Sequence, residues 1–192
     1  MDESVIKAME RWPNVPDVYG WLALDRRGQW LLKGGTIGNV GLREFIGRNY
    51  LRTETGAFAF QNGPQRVFVA LEYTPWVAQL DGHDELRLHN GDLLGPLDGA
   101  WMDEEGALLL RCAAGLALLD DRDLERLTDD LWQGDQRLDE DGQAEVIEAL
   151  LSGEDPDVVL VWKGQHVALR SIRAREVAER FAFIADPQPD AA

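Results

Sequence analysis

Residues 19–25 and 29–33 are apolar and aromatic runs split by Arg26, Arg27 and Gly28. That pattern predicts two strands joined by a tight turn. The segment Lys33-Gly34-Gly35-Thr36-Ile37-Gly38 breaks the second run, and Asn39 suits the N-cap of a helix. Leu42, Phe45, Ile46 and Asn49 follow at i, i+3, i+4 and i+7, so one helical face is set toward a core. Residues 58–61 and 66–72 read as strands separated by the turn Asn62-Gly63-Pro64, with Val67, Val69 and Leu71 on one side. Residues 77–80 and 85–89 flank Asp81-Gly82-His83-Asp84, a further hairpin. These connections are too short for parallel crossovers, so the sheet is expected to be mainly antiparallel.

After a breaker stretch over residues 90–96 the pattern repeats itself. Asp25, Gly28, Leu31, Leu32 and the base Lys33 align with Asp103, Gly106, Leu109, Leu110 and Arg111 at a constant offset of 78 residues. A helix is expected after each hairpin, at 39–50 and at 120–132, where Leu124, Leu127 and Leu131 form a stripe. The second copy then adds an amphipathic helix over residues 143–152 and a last hairpin, 158–162 with 166–170. The expected fold is α+β, built from two similar, mainly antiparallel β units that each carry a helix. A lead-in covers 1–16, the first unit 17–96, the second 97–186 with its inserted helix, and a tail 187–192, with fraying expected from Ile184 onward.

Composition supports a packed protein: 192 residues, 45% apolar, with seven Trp and six Phe. Cys112 is the sole cysteine and sits in an apolar run, so it reads as a core position in a reducing compartment. The start lacks a basic region followed by an apolar one, and the longest apolar stretch, 106–119, is short and carries Arg111. Secretion and membrane spanning are disfavoured, and the cytoplasm is the expected location. A formal net charge of −16 argues against non-specific attraction to nucleic acid or anionic lipid. The charge is unevenly placed: residues 26–66 hold seven bases and two acids, whereas 81–157 hold 23 acids and five arginines. Either these are solvated or mutually attracting faces, or the basic region forms an anion-accepting patch.

Candidate chemistry is sparse. His83, His89 and His166 are the three histidines, without the paired Cys or spaced third ligand of a metal site. Ser4, Ser152 and Ser171 lie in no nucleophile elbow. Asp139, Asp141, Gly142 and Glu148 imitate a calcium loop, but Arg137 stands where its first oxygen ligand belongs, so an acidic loop before a helix is expected. The glycines between Gly34 and Gly41 either serve sharp turning or open backbone N–H groups to an anion beside Arg43. Expected ligand-binding residues are Lys33, Gly35, Arg43, Arg48, Arg66 and Trp76; core packing is the expectation for the tryptophans, Trp21, Trp30 and Trp162 among them, with Trp76 the one best placed to reach a ligand or partner surface. The sharper expectation is that Lys33, Arg43, Arg48, Arg52 and Arg66 converge on one concavity.

In order, Asp25-x-x-Gly28-x-Trp30, Gly35-x-Ile37, Leu42-x-x-Phe45, Leu51-Arg52-x-x-x-Gly56-x-Phe58, Pro64-x-Arg66-Val67-x-Val69 and Glu72-x-x-Pro75-Trp76 span the first third to half of the chain. This series resembles the proteobacterial domain of unknown function 1285, or a close relative. The resemblance implies a duplicated α+β core, a second domain superficially like a pleckstrin-homology barrel, and signalling through a nucleotide-like ligand at a domain interface. The chain departs from that pattern at Arg66, at Thr74 and in the inserted helix. The expected function is therefore a ligand-binding or regulatory module for a small anionic or nucleotide-like ligand, without a cofactor. A protein-interaction role for an acidic docking surface is the alternative, and a hydrolase built from scattered acids is a third reading.

Overall fold

A computed structural model describes residues 1–11 and 15–189. The chain forms two compact units, one of Met1–Pro75, His89–Gly91 and the residues from Ala182 on, the other of Trp76–Leu88 and Asp92–Phe181. Residues 12–14 of the expected lead-in and 190–192 of the expected tail lie outside the described residues. Among the described residues no helix is long and apolar enough to cross a membrane.

The first unit runs α1 (Glu3–Arg11), β1 (Val18–Leu24), β2 (Trp30–Leu32), β3 (Gly35–Thr36), α2 (Val40–Arg48), β4 (Tyr50–Arg52), β5 (Phe58–Asn62) and β6 (Gln65–Leu71). Its six-stranded sheet has the order β3-β2-β1-β6-β5-β4. Neighbours are antiparallel except β1 and β6, which pair in parallel. The sequence pattern predicts no parallel pair, because it reads each connection singly; here the link between the two strands is the entire intervening course through α2 and β5.

Asn39 caps α2 as expected, its Oδ1 accepting the Leu42 N–H at 2.9 Å. At the other end buried Asn49 donates to the Phe45 carbonyl at 2.9 Å and accepts the Asp2 N–H at 2.7 Å. Of the expected apolar face, Ile46 is buried and Phe45 sets its ring edge-on to Phe60, 5.5 Å between centroids, whereas Leu42 is exposed. The core on this side of the sheet gathers Leu22, Leu24, Trp30, Ile46, Val69 and Leu71.

The C-terminal segment is not frayed at Ile184. Leu71 N–H donates to the Ala185 carbonyl at 2.7 Å, Ile184 N–H donates to Gly56 at 3.1 Å, and Pro187 is buried. The backbone groups of an otherwise open strand end thus find partners, which offsets the entropy of ordering the segment.

The second unit runs β7 (Trp76–Leu80), β8 (Leu86–Leu88), β9 (Leu97–Met102), β10 (Leu108–Cys112), β11 (Gly115–Leu119), a 3-10 turn (Asp121–Asp123), α3 (Leu124–Thr128), β12 (Leu131–Gln133) and β13 (Gln136–Arg137). It continues through α4 (Glu140–Ser152), β14 (Val158–Trp162), β15 (Gln165–Ser171), a second 3-10 turn (Ala174–Glu176) and α5 (Val177–Arg180). The sheet order is β13-β12-β14-β15-β9-β10-β11-β7-β8. The division between units falls after Pro75 rather than at residue 96, because β7 pairs in parallel with β11, Trp76 facing Ala117. The helix expected over 120–132 ends at Thr128, and Trp132 lies in β12. The inserted helix begins at Glu140, since Asp139 caps it by accepting the Gly142 N–H at 3.0 Å.

Within this sheet the order β11-β10-β9-β15-β14-β12 repeats that of the first unit. Registers repeat too. Leu24 faces Trp30 as Met102 faces Leu108, Leu22 faces Val69 as Ala100 faces Leu169, and Phe60 faces Val67 as Leu160 faces Val167. The hairpin turns match atom for atom: Asp25 Oδ1 accepts the N–H groups of Arg27 and Gln29, and Asp103 Oδ1 those of Glu105 and Ala107. The same turn occurs at Asp81, outside the repeated part, where the carboxylate accepts from His83 and Glu85. Strand order and register, rather than the turn, therefore establish the repeat.

Gly56 holds the returning C-terminal segment at close range. Its φ is +89°, and a Cβ there would lie 2.8 Å from the Ala182 carbonyl oxygen. Gly56→Ala is expected to destabilise the protein by about 1–3 kcal/mol, through strain at a positive φ and displacement of that backbone. Urea denaturation checks it, and an unchanged midpoint would contradict this account.

Candidate functional site

On the sheet face away from α2, β6 presents Arg66 and Phe68. β1 is irregular there, Val18 facing Val67 but Leu22 facing Val69, with Gly20 at φ +71° inside the irregularity. The extra length brings Tyr19 flat onto Phe68, ring centroids 4.4 Å apart and planes 5° from parallel. These rings line a cavity of about 710 Å³ within the first unit, together with Arg52, Arg66, Thr53 and Thr55, while Asp17 and Glu54 supply carboxylates. Ile184 and Pro187 of the returning segment also line it.

The polar groups are unequally committed. Arg52 donates to the Ala182 carbonyl, and Thr53 Oγ1 donates to Ala57 at 2.9 Å while lying 2.9 Å from Thr55 Oγ1. Arg66 is exposed and has no ion-pair partner among the described residues. A planar guanidinium in that position can take an oxyanion through two parallel hydrogen bonds. The stacked rings offer a flat surface to a planar group.

The expected ligand-binding residues do not gather in one place. Lys33 occupies the β2–β3 turn with φ +50°, followed by Gly34 at +81°, and its Nζ lies 3.8 Å over the Trp21 ring. Gly35 lies in β3 opposite Leu32. Lys33 N–H and Ile37 N–H donate to Trp21 and Trp30 carbonyls at 2.7 and 2.8 Å, so these backbone donors of the glycine-rich stretch belong to the sheet. Arg43 is exposed on α2. Arg48 pairs with Asp2 at 3.3 Å and reaches Glu44 at 4.0 Å. Only Arg66 of that set lines the cavity, joined by Arg52.

Trp76 differs from expectation more sharply. It is 8% exposed, and its Nε1 donates to the Ala114 carbonyl at 2.9 Å, because parallel pairing with β11 carries it into the second unit. Trp30 and Trp162 are core residues as expected, but Trp21 is 51% exposed. Sequence reasoning missed Tyr19, Phe68 and the two threonines. The one signal was Gly20 inside an aromatic strand, the mark of a bulge.

The three histidines are apart: His83 in the β7–β8 turn, His166 exposed on β15, and His89 in the first unit's core. His89 lies 5.1 Å from the Trp30 ring and 5.8 Å from Tyr50, and burial pushes its pKa down to about 3. Among the described residues no group of three His, Cys, Asp or Glu side chains is placed to hold a metal ion. The calcium-loop imitation is helical over α4. Cys112 is buried, and burial raises its thiol pKa.

A family model, DUF2944, described as a protein of unknown function (DUF2946), matches residues 1–188. The chain belongs to this family. The fold of this DUF2944 protein is similar to the crystal structure of a DUF1285 family protein from Silicibacter pomeroyi DSS-3, at 18% identity and TM-score 0.54, covering 85% of this chain and 86% of that one. A DUF1285 family protein from Shewanella baltica OS155 matches at 12% identity and TM-score 0.42, over 54% of this chain and 86% of the other. The likeness to DUF1285 expected from the motifs is thus present as a shared fold. No curated protein matches the chain.

His89 makes stability depend on pH. The fold keeps this imidazole neutral down to about pH 3, whereas an unfolded chain protonates it near 6.5. Stability should therefore fall as pH drops from about 6.5 toward 3, by about 1.4 kcal/mol per unit from this group. Urea denaturation at pH 7, 5 and 4 should show a shallower pH dependence for His89→Gln than for the native protein. Parallel slopes would assign the loss to carboxylates alone.

Proposed function

We propose that this DUF2944 protein is a ligand-binding module, with a regulatory role in signalling, whose first unit holds a small anionic, nucleotide-like ligand. The observation that carries the reading is Arg66, a guanidinium without a carboxylate partner among the described residues, beside the stacked Tyr19 and Phe68 rings. A planar base lies on the rings, and a phosphate takes the guanidinium. Asp17 and Glu54 would repel a bare anion but accept hydrogen bonds from a sugar hydroxyl or an exocyclic amine, which favours a nucleotide over free phosphate. The site differs from the glycine-rich patch expected from the sequence, where the Lys33 and Ile37 N–H groups are committed to the sheet.

A reducing, cytoplasmic setting suits the sole cysteine, a buried thiol. The second reading, an acidic docking surface, draws on one feature: Asp129, Asp139, Glu140 and Asp141 line an open concavity at the start of α4. Binding of a basic partner there would weaken steeply with salt.

Calorimetric titration with a panel of nucleoside mono-, di- and cyclic phosphates tests the proposal. A member of the panel is expected to bind more tightly than inorganic phosphate, and Arg66→Ala should weaken it about tenfold or more, the loss of a charge-assisted contact. Tyr19→Ala should weaken nucleotides but not phosphate. Absence of heat and of any thermal shift at millimolar nucleotide would refute it.

A further inference from the structure

The second unit carries its own cleft, of about 400 Å³, on the corresponding face of the repeated frame. In the first unit Arg66 and Phe68 precede and follow Val67 on β6; in the second His166 and Ala168 do so around Val167, the residue with the same register. Both cavities therefore sit against the parallel pairing of first and last strands, and they are furnished differently.

Trp101 lines the second cleft, 6% exposed. Its six-membered ring lies over Gly99, where any Cβ would run into it, and Phe181 closes on it edge-first at 4.9 Å. The guanidinium carbons of Arg111 and Arg180 lie 5.4 and 5.6 Å from the indole centre. Arg170 stands directly beside Trp101 in the β15–β9 pairing, and exposed His166 lies on the same side of β15. Arg111 is held by Asp98 at 2.6 Å. Arg170 has no hydrogen-bond or ion-pair partner among the described residues, and Arg180 has only the indole ring. The Trp101 Nε1 is buried without an acceptor among the described residues.

Two features argue that this arrangement serves a ligand. Three arginines, Arg111, Arg170 and Arg180, drawn together beside a single lining carboxylate, Asp98, run against the net charge of −16 of the chain. Nor does the frame require these residues: the positions matching Trp101 and Arg170 in the first unit are Ala23 and Ala70, paired in the same register. An indole N–H left without an acceptor adds a donor dipole to the same floor.

We infer that this cleft is a second binding site, for a small multiply charged oxyanion such as pyrophosphate or a phosphate ester. Arg170 and Arg180 bind its oxygens, Arg111 is held in place by Asp98, and His166 lies at the same wall.

Calorimetric titration of the full chain with inorganic pyrophosphate at low salt tests the inference. Arg170→Ala and Arg180→Ala are each expected to weaken binding about tenfold, and the double variant to lose it. Arg66→Ala removes the first unit's guanidinium, so the pyrophosphate binding that remains in that variant reports the second cleft and should be lost when Arg170→Ala and Arg180→Ala are added. The Trp101 indole resonance, assigned by its absence in Trp101→Phe, should shift during titration. Arg170 contacts no acceptor among the described residues, so its single variant preserves the test if the double variant fails to fold. No heat with pyrophosphate, equal affinity in Arg170→Ala, or loss of binding in Arg66→Ala would each overturn the second site.

Discussion

Parallel pairing of the first strand of the repeated order with its last, β1 with β6 and β9 with β15, is the contact on which each unit depends. Each sheet is a set of hairpins until that pairing forms, because every other neighbour within the repeated order is antiparallel and most are close in sequence. Closing it brings the start of each repeat against its end. The irregularity in β1 lies in this pair, and it turns Tyr19 onto Phe68. Both cavities lie against the closure, where two strands from distant parts of a unit combine side chains that no hairpin could bring together.

Local elements were legible because local chemistry determines them. Asp25 and Asp103 each collect two turn amides, Asn39 caps a helix with its own carboxamide, and Gly164 takes the positive φ of a two-residue turn, whereas the Asp139 cap that starts α4 at Glu140 was not read. The unit boundary was not legible. β7 and β8 look like a continuation of the first sheet until β7 pairs with β11, and parallel pairing across that separation leaves no mark on the local pattern. Trp76 was misread for the same reason: a tryptophan after a proline looks like a loop residue until a strand from later in the chain covers it.

The candidate site was partly legible. A basic N-terminal region is real, but its side chains serve separate ends: Lys33 covers a tryptophan, Arg48 anchors Asp2, and Arg52 holds a backbone carbonyl. Charge counted along a chain adds residues whose side chains project from different faces. Arg66 was among the expected residues, yet its setting depends on the β1 irregularity and on residues beyond 180. In the second half the arginines on β10, β15 and α5 are far apart in sequence and come together only when the sheet forms.

Residues 182–189 pack into the first unit, so that unit is assembled from segments that precede and follow the second unit in the sequence. During synthesis its sheet can form early, but Leu71, Arg52 and Gly56 meet their acceptor or donor only after the entire second unit has left the ribosome. The wall that Ile184 and Pro187 give the Tyr19–Phe68 cavity is accordingly laid only after the second unit. Before that segment is made the cavity is an open groove, and the finished pocket certifies that the second unit has already been synthesised.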